Sequence, residues 1–254
     1  MPVVHDTPAR LSIVVPTYNE RERLPILVES LFSAYAGEAL DAELIIVDDN
    51  SPDGTGAIAD ALAREHRIKV VHRAGKLGLG TAVVEGFAAA SAPIVGVIDA
   101  DMSHPPRLLP RMFAVMQDSR ADVVIASRYI PGGGTRDWPL SRLLMSRLAC
   151  LMARGLTPVR DATSGFFLIR RDVADGVRIE AGGFKICLEL LVRGRPSSVV
   201  EVPYVFENRT AGESKMNVKE ATGYLRQLRD LHSYRKQRGL RAPIHRIAPP
   251  AATA

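Results

Sequence analysis

The chain has 254 residues, 46% of them apolar and 24% charged, and a formal net charge of +5. This is ordinary globular composition, sufficient to bury a sizeable core in one large domain or two small ones. Its two cysteines, Cys150 and Cys187, are too few and too far apart for a disulfide framework or a zinc site, which points to a reducing, cytoplasmic setting.

Residues 1–10 read as a loose terminus. No basic segment followed by an apolar stretch opens the chain, so no signal peptide is expected. Leu11 to Val15 reads as a strand ended by Pro16, which cannot donate to a ladder. Asn19 suits the N-cap of a helix from Glu20 to Tyr35. Glu43 to Val47 is a second strand closing on Asp48-Asp49-Asn50-Ser51. A turn at Pro52-Asp53-Gly54 leads into a helix from Gly56 to Glu65, and Ile68 to His72 is a third strand. Arg73 to Gly80 is a basic, glycine-containing loop. It is neither a dinucleotide fingerprint, which would follow the first strand, nor a P-loop, since no Gly-Lys-Ser/Thr is present. Thr81 to Ala90 reads as a helix of small residues. The apolar run Ile94 to Ile98 reads as a buried strand of a parallel sheet. Pro105 opens a further helix and Asp122 to Ala126 is a fifth strand.

The fourth strand leads into Asp99-Ala100-Asp101. Carboxylates at i and i+2 of an extended segment point the same way, and two like charges aimed at one spot need a cation or a shared proton. Mg2+ or Mn2+ suits all-oxygen ligands and would in turn hold a diphosphate. The bland alternative is two acids that end a strand and face solvent. Strands alternating with helices predict a mainly parallel, doubly wound α/β sheet, in which ligands sit beyond the carboxyl ends of the strands. Tyr18, Asp48, Asp49, Asp99 and Asp101 all fall at such ends.

The second half changes character. Pro131 to Gly134 is a flexible turn, followed by an amphipathic helix from Trp138 to Ala153. That helix carries Leu140, Leu144, Leu148 and Leu151 on one side and Arg147 and Arg154 on another. It either packs on the core or lies in a membrane interface. The longest candidate stretch, Leu140 to Val159, is broken by Arg142, Arg147 and Arg154, so no run reaches the roughly 18–20 uninterrupted apolar residues a bilayer span needs. Phe166 to Arg170 and Val199 to Phe206 read as strands, with a helix from Phe184 to Val192 between them. Asn217 to Tyr234 is helical, with Val218, Ala221, Leu225, Leu228 and Leu231 as its core stripe. From Arg226 onward seven Arg/Lys residues face the single Asp230, either a solvated basic face or an attraction to an anionic membrane surface. No nucleic-acid partner is expected, because no recognition motif accompanies the charge. Residues 239–254 are expected to form a disordered tail, leaving one domain over 11–238 with halves at about 11–130 and 131–238.

Pro16-Thr17-Tyr18-Asn19-Glu20, Val47 to Gly54 and Asp99-Ala100-Asp101 stand in order on three strand ends. Together they closely resemble the family 2 glycosyltransferases, with their type A, Rossmann-like nucleotide-diphospho-sugar fold. Further matches are Lys76 to Gly80, Ser127-Arg128-Tyr129, Ser141-Arg142, Asp161 to Phe166, Phe184-Lys185 and Arg209 to Lys215. These narrow the resemblance to the dolichol-phosphate (polyprenol-phosphate) mannose synthases. It runs from about Leu11 to Leu231 and implies inverting transfer of mannose from GDP-mannose to a polyprenyl phosphate. Two departures stand out. Ser103 occupies a position where many members have a metal-binding Gln. The membrane spans of some members are also missing, which implies a soluble or peripheral form on the cytoplasmic face, with room for a separate membrane-anchor protein.

The resemblance also assigns roles. Pro16, Tyr18, Glu20, Asp48, Asp49, Lys76, Asp99, Ala100 and Asp101 would bind the donor, with the metal on Asp99, Asp101 and Ser103. Asp48-Asp49 also reads as a turn held by Asx capping. The acceptor, a phosphate monoester, carries about −1.5 to −2 charges at neutral pH. It therefore needs steering and neutralisation rather than a base. Arg128, Arg142, Arg209 and Lys215 are the candidates for that work, with Ser164 beside them. Asp101, Arg128, Arg209 and Lys215 would be the catalytic set, and the loop Asn208 to Met216 would close over substrates about Gly212. His104 is expected to begin a helix rather than to take part in the chemistry. Two other functions stay open from the residues alone: a polyprenyl-phosphate glucosyltransferase using UDP-glucose, and a non-catalytic nucleotide- or membrane-binding module.

Overall fold

Runs of Val, Ile and Leu become strands wherever both of their faces can be covered. The computed structural model describes residues 8–177, 179, 185–207, 218–238 and 244–247. Its first half alternates strand and helix: β1 (Leu11–Thr17), α1 (Leu24–Gly37), β2 (Ala42–Asp48), α2 (Thr55–Leu62), β3 (Ile68–His72), α3 (Leu79–Ala89), β4 (Ile94–Val97), α4 (Leu108–Ser119) and β5 (Val123–Ser127). Then follow β6 (Gly134–Thr135), α5 (Leu140–Ala153), β7 (Phe167–Arg170), α6 (Arg171–Ala174), α7 (Ile186–Arg193), β8 (Ser198–Pro203), β9 (Val205–Phe206), α8 (Val218–Gln237) and β10 (His245–Ile247).

Eight strands form one sheet in the order β10-β8-β5-β7-β4-β1-β2-β3, and β6 pairs with β9 in a separate ribbon. The large sheet is parallel except for β7, which runs antiparallel between β4 and β5. Alternate residues of β1 face opposite layers. Leu11, Ile13 and Val15 pack with Leu24, Leu27 and Leu31 of α1 and with Leu109 and Met112 of α4. Val14 packs with Ala82 and Val83 of α3 in a second layer, which also holds Leu188 and Leu191 of α7 and Leu228 and Leu231 of α8. A Cβ at Gly86 would lie 2.4 Å from Val14 Cγ1, so the missing side chain lets α3 press directly on β1.

Several boundaries differ from the sequence reading, each for a physical reason. β1 continues through Pro16 to Thr17. Val14 O accepts from Ile98 N, so Pro16, two residues on, turns its missing N–H toward β4 just where that pairing has ended at Val97. α1 starts at Leu24 rather than Glu20 because Pro25 lies in its first turn, the one part of a helix that tolerates a missing N–H. Asn19 is left-handed, at φ 60°, and caps nothing. α4 likewise starts at Leu108, with Pro110 in its first turn. The expected strand Val199 to Phe206 splits into β8 and β9, which join different sheets. His245–Ile247, within the expected disordered tail, pairs with β8 as an edge strand. On α8 the buried stripe is Tyr224, Gln227, Leu228 and Leu231, while Leu225 is exposed. On α5 the leucines face outward. Leu140, Leu144, Leu148 and Leu151 are 68%, 56%, 53% and 62% exposed, so the leucine stripe is not the core face, and the helix packs inward through Cys150 and Ala153 instead.

Candidate active site

β1, β2 and β4 are parallel neighbours, with Thr17 paired to Asp48 and Val14 to Val97. The segments after them therefore emerge side by side at one edge of the sheet. Each turns through a left-handed residue: Asn19 at φ 60°, Asn50 at 56° and Met102 at 63°. Asparagine tolerates this conformation and methionine rarely adopts it.

Asp48 is occupied by its own turn, accepting from Thr17 Oγ1 at 3.2 Å, Ser51 N at 3.0 Å and Ser51 Oγ. This is the Asx capping that the sequence also allowed. Asp49 accepts from Gly78 N at 3.1 Å and pairs with Arg73 Nη1. The buried Arg73 also holds Glu85 at 3.1 Å, Gly78 O at 3.2 Å and the Thr81 hydroxyl. Asp49 and Arg73 thus pin the 73–80 loop to the end of β2. That places Lys76 Nζ 3.8 Å from the centre of the Tyr18 ring, so two expected donor-binding residues meet at the rim. Glu20 pairs with Arg23 at 3.3 Å, and its backbone N donates to Thr55 Oγ1 at 2.9 Å. Arg73, read only as part of a basic loop, is the residue the sequence left without a role here.

The two aspartates after β4 are held differently. Asp101 is buried and accepts from Ser103 N at 2.9 Å and from the Ser103 hydroxyl. The left-handed turn at Met102 makes that return contact. Ser103 therefore directs its hydroxyl proton to Asp101. Asp99 is partly exposed and lies 3.2 Å from His104 Nε2. Far from starting a helix, His104 is buried among the rings of Phe166, Tyr204 and Phe206, with centroids 5.2, 5.6 and 5.4 Å away. On the other side Gly165 approaches so closely that a Cβ there would lie 3.0 Å from Asp99 Oδ2. Ser164, next to it, is buried and accepts from Phe166 N at 3.2 Å.

Among the described residues no three His, Cys, Asp or Glu side chains converge into a closed metal cage. Two aspartates on one strand end instead fit a hard ion that takes its remaining ligands from phosphate oxygens and water. The donor set is all oxygen, which suits magnesium or manganese rather than zinc.

The expected cations separate into three cases. Arg128 is 8% exposed and its fork lies on the fully buried Asp161, through Nε at 2.8 Å and Nη2 at 2.7 Å. Burial works against the Arg128 charge, but Asp161 outweighs it and raises the guanidinium pKa. Its two-pronged face is thus turned to protein, and only Nη1 is left for a phosphate. Arg142 lies over Trp138 at 4.1 Å and Phe206 at 5.6 Å, a stacked geometry that orients its plane. Arg209, Lys215 and the rest of the Asn208 to Met216 loop lie outside the described residues. Lys185, quoted from the sequence without a role, stands within electrostatic reach of this group. Burial and then the Arg128 charge push its ammonium down, while Asp99 and Asp161 oppose them.

Comparison with known proteins agrees with this geometry. The chain is 40% identical over 223 residues to a dolichol-phosphate mannosyltransferase of Pyrococcus furiosus, covering 86% of this chain and 62% of that protein. It is 40% identical over 227 residues to a polyprenol monophosphomannose synthase of Mycolicibacterium smegmatis, covering 84% of each. A mannosyltransferase from Pyrobaculum calidifontis, solved with GDP-Man and Mn2+, shares the type A fold with a TM-score of 0.62 at 19% identity, over 94% of this chain and 67% of that one. Residues 12–178 match the model of glycosyl transferase family 2, and with three strand ends presenting their acidic segments at one edge of a mainly parallel sheet, the chain belongs to that family.

Proposed function

We propose that this chain is a hexosyltransferase that moves mannose from GDP-mannose to a polyprenyl phosphate, with inversion at the anomeric carbon. The observation that carries this reading is the likeness to a polyprenol monophosphomannose synthase over 84% of both chains. Tyr18, Glu20, Asp48, Asp49 and Lys76 would take the nucleoside side of the donor, and Asp99 and Asp101 would hold a divalent ion against its diphosphate. When bound, that ion neutralises the charge that builds on the departing diphosphate.

Every other task falls to the chain itself. Ser103 keeps the Asp101 carboxylate turned to the site, and His104 does the same for Asp99. A phosphate monoester arrives already ionised, so no carboxylate has to remove a proton from it. What it needs is a cationic cradle that aims one oxygen at the anomeric carbon from the face opposite the diphosphate. Arg142, stacked on Trp138, and Nη1 of Arg128 would form the fixed part of that cradle. Arg209 and Lys215 would complete it. The outward leucines of α5 would meet the membrane interface from which the lipid comes, on the cytoplasmic face, where two free cysteines are at home. Among the described residues no helix is long and apolar enough to cross a membrane.

The test is transfer of label from GDP-mannose into a solvent-extractable product, with a short polyprenyl phosphate and either Mg2+ or Mn2+. We expect label to move from GDP-mannose and not from UDP-glucose. Label that stays in the aqueous phase, or moves only from UDP-glucose, overturns the assignment.

A further inference from the structure

Beside α5 lies a second cationic feature, three of whose arginines have no part in the proposed transfer. An open pocket of about 430 Å³ is bounded by Arg147, Arg154 and Arg160, with Tyr129, Cys150 and Leu151 among the other residues of its wall. Arg128 also borders it, but its charge is matched by Asp161. Among the described residues none of Arg147, Arg154 and Arg160 has a carboxylate at ion-pair distance. Glu201, whose carboxylate accepts from Arg160 N, is already taken by Arg246 at 2.8 Å, the Ser127 hydroxyl and Asp161 N. Three like charges around one concavity repel one another, and an anion seated among them relieves that repulsion through charge-assisted hydrogen bonds.

The pocket meets the proposed acceptor cradle only through Arg128, and its unmatched arginines are not those of the cradle. Arg142 and Arg147 are five positions apart on α5, about 140° around the helix, and Arg142 is turned to Trp138. Arg147 and Arg154 are seven apart and share one side, within about 20°. Leu151 lies on the pocket wall and is itself 62% exposed, next to the exposed Leu144 and Leu148. A small soluble anion would use the arginines and leave the leucines in water. An amphiphile uses both.

We propose that this pocket seats the phosphate group of an anionic membrane phospholipid while the leucines of α5 enter the acyl boundary. The site fixes how the enzyme lies on the membrane and leaves the acceptor cradle free for polyprenyl phosphate. This rests on the reading that α5 faces a membrane.

The experiment is vesicle co-sedimentation with the full chain, on phosphatidylcholine with and without phosphatidylglycerol. The pocket variant R147Q/R154Q is compared with R64Q/R111Q, which removes the same charge from exposed arginines elsewhere. Each arginine at a membrane surface contributes about fivefold, so the pocket variant should bind phosphatidylglycerol vesicles about thirtyfold more weakly, with its melting temperature and its transfer to detergent-dispersed polyprenyl phosphate unchanged. R64Q/R111Q should bind like the wild type. Equal losses in the two variants would reduce the effect to general attraction and overturn the proposal. A raised KM for polyprenyl phosphate in R147Q/R154Q overturns it too, because the pocket would then belong to the acceptor. Release by millimolar glycerol 3-phosphate would make it a site for free phosphate esters, again against the proposal. Wild-type binding that ignores phosphatidylglycerol but is lost in L144S/L148S keeps α5 at the membrane and rejects only the pocket. No vesicle binding by the wild type rejects both.

Discussion

Asp161 offers the sharpest test of how the site is held. It is fully buried and supplies the acceptors for Arg128 Nε, Nη2 and backbone N, at 2.8, 2.7 and 2.9 Å. Asp161→Ala leaves a guanidinium that is 8% exposed with no carboxylate against it. A charge stranded in this way costs about 3–5 kcal/mol, a large part of the roughly 5–15 kcal/mol that holds a domain folded. The loss should appear as a lower urea midpoint with an unchanged slope. Trp138, the single tryptophan of the chain, serves as a local probe, since the Arg128 guanidinium carbon lies 5.5 Å from its ring centre. Removing the charge as well should recover most of the loss. Arg128→Met with Asp161→Asn keeps an acceptor for the backbone N–H and leaves no buried ion, so it should be more stable than Asp161→Ala by about 2 kcal/mol or more. A loss under about 1 kcal/mol in Asp161→Ala, or a double variant no better than that single one, would show that Arg128 reaches water and is not fixed by this pair.

Other consequences follow from neighbouring residues. Asp101→Asn keeps the volume and the Ser103 contact but removes the charge, so Mn2+ binding measured by electron paramagnetic resonance should be lost and turnover nearly abolished, while the melting curve stays in place. His104→Phe keeps the ring among Phe166, Tyr204 and Phe206 but cannot donate to Asp99. Mn2+ affinity in the presence of GDP should fall about 10- to 100-fold, and His104→Gln should restore much of it; equal affinity in His104→Phe and wild type would mean the histidine only fills space. At the opposite end of β2, burial alone would raise the Glu43 carboxyl. The Ser12 hydroxyl at 2.6 Å, the Ser91 hydroxyl and N–H at 2.7 Å, and Lys69 at 3.3 Å overcome this and hold it below the usual carboxylate range. A folded pKa below the unfolded value of about 4.3 stabilises the fold above that pH and is lost as the pH falls through the folded value. Denaturation midpoints in acid should therefore drop less steeply in Glu43→Gln than in wild type, and parallel curves would refute the assignment.

Much of this was legible without a structure. Strand after strand of the first half is an unbroken apolar run closing on polar residues, and a parallel sheet needs such runs because helices cover both its faces. From that pattern alone Asp48, Asp49, Asp99 and Asp101 fall at carboxyl ends, and the parallel pairing of β1, β2 and β4 puts them at one edge. What remained hidden depends on partners distant in the chain. Phe167–Arg170 carries no local mark of its direction, and only its place between β4 and β5 makes it antiparallel. The leucine stripe of α5 announces a face but not whether that face turns inward, because periodicity records spacing and not neighbours. Pro16 marks a lost donor, yet only the end of the β1–β4 ladder shows that nothing there needed it. Arg128 reads as a free cation until Asp161, 33 residues on, closes on its fork. Composition and local pattern determined the elements, their order and the acidic strand ends. Tertiary structure decided which charges face each other, because an ion pair depends on distance through space, and the chain encodes that distance only once it has folded.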